Sequence, residues 1–392
     1  MDPIRNPYSP GAGLRPAELV GRDAQIQEFG VLRARARQRR ISQSIVLTGL
    51  RGVGKTVLLN ELAQAARSDG WIVAKIEAES NPLRTPFRNQ VAASLNVSLR
   101  QIQGKNLKGP LRDRALRTFK SFSLTASPNG SLSVGIELAA DRGRADTGSL
   151  PADLTDLALD LGDAAIELDC GVALFIDEMQ HLDKDELAAV CQACHEAGQQ
   201  NKPFFVIGAG LPNLPGVLAE ARSYAARLFH YTTIGPLTAA DATEAITRPA
   251  AAEGVTWTQD AVDAVTERSG GYPYFLQEFG AATWDATLNG TTIDRPAADT
   301  GIRVGLTRLD DGFFRSRWER ATPAERDYLT AMATDGAGPS SSSAVASRLG
   351  KQLNQLGPIR AKLIAKGLVY SPDYGVIAYT VPGMADFVTR QR

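Results

Sequence analysis

Three glycines, a lysine and a threonine stand at fixed spacing in GLRGVGKT, residues 49–56 of the chain. Residues of these types in the pattern GxxxxGK[ST] suit polyphosphate binding. Gly49, Gly52 and Gly54 let the backbone curl until consecutive N–H groups face one phosphate, and a helix N-terminus directly behind the loop adds its dipole. The loop residues Leu50, Arg51 and Val53, with Val57 just inside the helix, complete the expected cradle. Lys55 would reach the β- and γ-phosphates, and the Thr56 hydroxyl would be a ligand of Mg²⁺. A second acidic group is needed to hold the metal. Asp177 and Glu178 stand together at the end of the apolar run GVALFI (171–176). There Asp177 would orient Mg²⁺, directly or through water, and Glu178 would polarise the water that attacks the γ-phosphate.

Both groups need a strand before them. SIVLT (44–48) is a short apolar run, and Val57, Leu58, Leu62, Ala65 and Ala66 follow the loop with helical spacing. GVALFI is continuous in its apolarity, as befits a parallel strand buried on both faces. WIVAKIEA (71–78), PFFVIGA (203–209) and LFHYTTI (228–234) read as further strands, and GRDAQIQEFGVLRARARQRR (21–40) as a helix. Strands alternating with helices over short links predict an α/β fold with a parallel sheet covered on both faces. An insert at about 97–150 interrupts the pattern. Phe122, Leu124 and Ala126, the turn SPNG (127–130), and Leu132, Val134, Ile136 and Leu138 predict a β-hairpin. A loop and an N-capped acidic helix follow over 143–157.

The chain has 392 residues, 43 basic and 43 acidic, with 43% apolar and 22% charged residues. That length predicts two or three domains and a core that needs no disulfides. No run of 18 apolar residues predicts a membrane span. MDPIRNPYSPGAG lacks the apolar centre of a signal peptide, and three cysteines make no disulfide framework, so the expected compartment is the cytoplasm. Charge is distributed unevenly. Seven basic residues lie between Arg100 and Lys120, among them Lys105, Lys108 and Arg112, and eleven acids between Asp153 and Glu186. Solvated helix faces are the plain reading of both runs. Two lookalikes carry less. DEMQH (177–181) matches one helicase box without the others, and CQACH (191–195) matches a haem-attachment pattern within an amphipathic helical stretch.

LVGRDAQIQEF (19–29) resembles the segment that precedes the phosphate loop in AAA+ and STAND-type ATPases. GGYPYFLQEFG (270–280) resembles the Gly-x-Pro stretch of their helical lid. In its order of parts the chain is similar to bacterial and archaeal ATP-binding proteins related to origin-recognition initiator ATPases. The resemblance implies binding and hydrolysis of ATP to ADP with Mg²⁺. It puts Val20, Gly21 and Arg22 on the adenine side and has Pro273 close over the nucleotide. It also implies an arginine finger before the last core strand, with Arg227 and Arg222 as candidates, acting across the boundary of a nucleotide-dependent homo-oligomer. Initiator-type lids usually carry a γ-phosphate-sensing arginine, where GGYPYFLQ offers tyrosines and a proline. VIGAGLPN has glycines where a polar sensor is expected, and Asn213 comes late. Both departures favour a nucleotide-gated switch.

After a helical stretch at 294–320 ending in RSRWERA, the last segment predicts three helices (322–333, 343–350 and 355–367) and two strands within 368–381 around SPDYG. Thr322 is the expected N-cap of the first, with Pro323 at its first position. This is the order of a winged helix, and it resembles the C-terminal domain of the initiator family. Arg360, Lys362 and Lys366 would face phosphates or bases of duplex DNA, and Ile359, Leu363 and Ile364 would pack inward. The basic surplus of this segment is small, so docking of a protein partner stays open beside DNA binding. The expected organisation is an ATPase core (1–235), a helical lid (236–320) and a winged helix (321–392). The leading functional expectation is ATP-dependent DNA binding or remodelling. The alternative is a signalling or defence ATPase whose nucleotide state controls assembly with a protein.

Overall fold

The computed structural model describes residues 1–80, 83–103, 109–126, 143–288 and 290–391. Five parallel strands form the central sheet: β1 (Ser44–Thr48), β2 (Ile72–Glu77), β3 (Val172–Asp177), β4 (Phe204–Gly210) and β5 (Phe229–Thr233). Their order is β2-β3-β4-β1-β5. Every residue of β1, β3 and β4 is buried, which explains their unbroken apolarity. Because β4 lies between β1 and β3, the chain leaves these two strands at the same edge of the sheet, roughly 10 Å apart at two strand spacings. That edge is where side chains of both can meet over one ligand. Helix Asp23–Arg37 lays Phe29 edge-on against Trp71 and Phe175, closing one face.

The insert differs from its expectation. Residues 122–126 are not strand; they end the helix Pro110–Ala126, which packs between helices Phe87–Gln103 and Leu150–Glu167. Ala115, Leu116, Phe119 and Phe122 form its buried stripe at helical spacing, and Leu124 is largely exposed. The remainder of the expected hairpin, 127–138, and Lys105 and Lys108 lie outside the described residues. The acidic run has a structural use, for it pairs with cations around it, of which Arg114 comes from the basic run. Arg114 bridges Asp160 and Asp163, Lys202 pairs with Asp163, and Arg88 meets Asp153 at 2.6 Å. Arg144 adds a two-pronged contact to Asp160 at 2.9 Å. Leu150–Glu167 is thus held by the cations around it.

Helices Ala239–Ala252, Gln259–Ser269, Pro273–Ala286 and Arg295–Arg308 form a second layer, tied by the two-residue strands β6 (Thr256–Trp257) and β7 (Thr292–Ile293). A π-helical turn, Leu309–Phe314, and a short helix, Arg315–Glu319, lead out of it. The C-terminal unit has helices Pro323–Ala333, Ser342–Arg348 and Leu353–Ala365 with strands β8 (Ser340–Ser341), β9 (Val369–Tyr370) and β10 (Val376–Tyr379). These strands pair antiparallel in the order β8-β10-β9. Thr322 caps its helix through a reciprocal pair with Glu325. A closing helix, Met384–Arg390, brings Phe387 to stack on Phe314 at 5.4 Å, so lid and C-terminal unit share one apolar cluster. Among the described residues, no helix is long and apolar enough to cross a membrane.

Candidate functional site

The loop after β1 is built from backbone that only glycine tolerates well. Gly52 and Gly54 have φ of 85° and 91°, and a Cβ on Gly49 would stand 2.2 Å from the Ile234 carbonyl oxygen. Helix Lys55–Ser68 starts directly behind, aiming its free N–H groups at the loop's hollow. The Lys55 ammonium is buried and donates to the carbonyl oxygens of Gly49 at 2.8 Å and Leu50 at 2.9 Å. Burial pushes its pKa down to about 8, against the pull of Glu178 and Asp177.

At the end of β3, Asp177 is buried and accepts the Glu178 N–H at 2.9 Å. Glu178 sits at φ 49°, a left-handed conformation that costs a non-glycine residue about 1 kcal/mol or more and is concentrated at functional sites. Its carboxylate faces the phosphate loop, 3.4 Å from the Arg51 guanidinium. Burial alone would raise its pKa; Arg51, Lys55, the Gln180 amide and His181 outweigh that and hold it below the ordinary carboxylate value. The group is therefore anionic at neutral pH.

Gln180 has a part that sequence reading did not find. Its Nε2 donates to Glu178, and its Oε1 accepts the Leu211 N–H at 3.1 Å, linking the ends of β3 and β4. A Cβ on Gly210 would lie 2.4 Å from that Oε1, so the glycine that stood where a polar sensor was expected makes room for Gln180. The late Asn213 is the N-cap residue of the next helix, and its Oδ1 is buried without a hydrogen-bond partner among the described residues.

A cavity of about 520 Å³ opens between loop and lid. Val20, Arg22, Arg51, Gly52, Val53, Gly54, Lys55, Thr56, Val57, Glu178 and Pro273 line it, as do Tyr274, Arg308, Phe313 and Arg317, which sequence reading left unassigned. Gly21, Gly49, Leu50 and Asp177 stand behind this lining. Arg22 is buried, and its guanidinium donates to the carbonyls of Gly21, Val53 and Gly235, clamping loop to linker. Pro273 starts the lid helix, and the Tyr274 N–H donates to Gly52 O at 3.3 Å, so the lid rests on the loop. Most of the residues from Ser9 to Val20 line one side of the cavity, with Gly13 at φ 69° beside Thr56. Residues 1–8 lie on the lid: Trp257 donates to the Tyr8 hydroxyl at 3.0 Å, and Trp284 to Asp2 O at 2.9 Å.

The other expected residues are placed elsewhere. Arg227 is exposed and lies just before Phe229, which pairs with Ser44, so it is at the sheet edge opposite the phosphate loop. Arg222 ends helix Leu214–Ala221 with its Nε buried and unpaired among the described residues. Of the C-terminal cations, Arg360 donates to Ser371 Oγ at 2.7 Å and to Val376 O, and Lys366 binds Glu325 and Arg320 O. Lys362 is exposed; Leu363 is buried, and Ile359 and Ile364 are partly so. Cys191 and Cys194 are buried in helix Lys184–Gln199 with thiols pushed up to about 12 by burial, and His195 lies against Tyr224.

Residues 18–207 match the family model described as AAA ATPase domain, and residues 311–388 match a domain of unknown function, DUF8462. A search of curated proteins found no match. Among solved structures, a Walker-type ATPase of Pyrococcus abyssi aligns at TM-score 0.60 and 14% identity, over 96% of this chain and 97% of that one. The RuvB Holliday junction branch migration motor of Thermotoga maritima aligns at 0.47 and 18%, over 94% and 96%. The Orc1 protein of Aeropyrum pernix, solved in complex with DNA, aligns at 0.47 and 17%, over 96% and 94%. Only the first likeness is close enough to speak for a shared fold, and it extends across both the sheet and the C-terminal unit. The match over 18–207 covers the two strand ends from which the cleft is built, and it marks that segment as an AAA ATPase domain of the P-loop kind.

Proposed function

We propose that this ATPase is a switch whose nucleotide state sets the seating of its C-terminal unit on the phosphate loop, and thereby the access of a protein partner to that unit. One observation carries the reading: the Arg51 N–H, inside the loop, donates to the Thr380 carbonyl of the C-terminal unit at 3.0 Å. Beside it, Leu50 packs on Leu211, Tyr370 and Ala378. A loop that rearranges around a triphosphate must therefore also adjust what is docked on it.

Within the cleft, the loop amides and Lys55 would hold the phosphates of ATP or ADP, and Pro273 would cover them. The Thr56 hydroxyl and the Asp177 carboxylate are hard oxygen donors suited to Mg²⁺, which takes one or two protein oxygens and fills its shell with water and phosphate. Bound there, the ion would neutralise charge on the β- and γ-phosphates. Glu178, anionic and tethered by Gln180, would accept the proton of the attacking water.

Arg227 is too remote from its own phosphate loop to serve it, so we assign it to a neighbouring subunit's site. Specific ATPase activity then rises from nanomolar to micromolar protein, and Arg227→Ala removes the rise, slowing turnover roughly 10³-fold at the upper end. A rate independent of concentration would leave the switch monomeric.

The C-terminal unit is read as a winged helix. Duplex DNA was its leading ligand on sequence grounds, but Arg360 and Lys366 are engaged within the unit, leaving Lys362 exposed between Ala361 and Ala365 on its helix. Protein docking suits that face better. Hydrogen exchange over 367–381 tests the switch: protection should differ between ATPγS and ADP, and identical protection would sink it. Anisotropy with random duplex DNA across a salt series tests the ligand. Binding that falls steeply with salt would restore DNA, whereas no binding at low salt supports a protein partner.

A further inference from the structure

The lid stretch 270–280 has no arginine where initiator-type lids present one to the γ-phosphate, and the lid's Arg308, though on the cavity wall, is paired with Glu278 and Asp285; the cleft holds a further arginine from another element. Arg317 lies on the short helix Arg315–Glu319, beyond the lid, and lines the cavity with Lys55 and Glu178. Its guanidinium stacks on Phe313, 4.0 Å from the ring centre, and donates to the Phe313 carbonyl four residues earlier. Among the described residues, no carboxylate pairs with it. Burial and the nearby cations Arg51 and Arg320 push its pKa down to about 10, against the pull of Tyr274 and Glu178. A half-buried guanidinium with cationic neighbours and no carboxylate in ion-pair contact among the described residues is electrostatically costly unless an anion enters the cleft. The π-helical turn Leu309–Phe314 accounts for its position. This rare form places Phe313 and Gly312 on the cavity wall, and turns of this kind recur at functional sites.

We infer that Arg317 binds the terminal phosphate of a nucleoside triphosphate held by its own chain, and so distinguishes ATP from ADP. The inference rests on the nucleotide cleft proposed above. A planar fork suits phosphate oxygens, and Phe313 fixes its plane before the ligand arrives. Arg317 is joined through Phe314, stacked on Phe387, to the C-terminal unit, so contact with the third phosphate would pull on the element whose seating is switched.

The test is the ratio of ATPγS to ADP affinity, measured by calorimetry with Mg²⁺. In Arg317→Met, which keeps an apolar stem on Phe313, ADP affinity should stay within twofold and ATPγS affinity should fall at least tenfold. Arg317→Lys should recover part of the loss, since it restores charge without the fork. ADP binding doubles as the check on folding, because it uses the same loop. An ATPγS to ADP ratio equal to that of the unaltered protein would overturn the inference. A Lys55→Ala protein that keeps both affinities would instead overturn the cleft itself, which separates the two failures.

Discussion

Lys55→Ala should lower affinity for ATP and ADP about ten- to a hundredfold, while leaving the fold at least as stable to heat. The ammonium is buried at the bottom of the phosphate loop, where a charge-assisted contact is worth about 1.5–3 kcal/mol and each 1.4 kcal/mol is tenfold in binding. Stability goes the other way because the folded protein disfavours the charged form: the Lys55 pKa is about 8, below its ordinary value. A group so depressed opposes folding at neutral pH, and its removal relieves that. The same value sets a pH dependence. Polyphosphate binds the protonated amine, so affinity for ADP should be flat below pH 8 and fall by up to tenfold per unit above it. Fluorescent ADP titrated between pH 7 and 9.5 measures this; an unaltered affinity in Lys55→Ala would remove the loop from the site.

Glu178→Gln should keep nucleotide affinity within a few-fold and lower kcat by about 10²–10³, the usual contribution of a positioned base. The amide has the shape of the acid and can still meet Gln180, so the strand ends stay linked. What it cannot do is take a proton. Arg51 loses its carboxylate partner in this variant, and a small gain in ATP affinity would follow as that guanidinium turns to the ligand. Single-turnover hydrolysis beside equilibrium binding separates the two effects. An unaltered rate would transfer the base's role to another group.

Strand β1 was legible to the residue, and so was the acid pair at the end of β3, because runs buried on both faces and glycine loops leave local marks. The insert was not. Phe122, Leu124 and Ala126 alternate like a strand, but Ala115, Leu116, Phe119 and Phe122 also fit a helix, and three alternating residues cannot separate the two periods. Gln180 and Arg317 were invisible for a different reason. Gln180 acts through an amide of β4 that is adjacent only in space, and Arg317 enters the cleft through a π-turn that no residue pattern announces. Arg360 and Lys366 read as ligand-facing from their place on the third helix of a winged-helix order; their partners Ser371, Val376 and Glu325 come from other elements, so pairing decides their use.

The chain passes between core and lid twice near Gly21: once just after Val20, which packs with Tyr8 in the lid's cluster, and again through 235–238. The two crossings are neighbours, since a Cβ on Gly21 would stand 2.9 Å from Leu237 and 2.8 Å from Asp241. A body hung from one strap can tumble; hung from two, it keeps one easy rotation, about the line through them. Once the C-terminal unit is unseated from the loop, the lid would be a door with its hinge at the Val20–Arg22 end and its free edge over Lys55 and Arg317. As it swings, the phosphate end of the cleft widens first and most, while the far end scarcely moves. A departing nucleotide would lose its grip tail first, pivoting on its base.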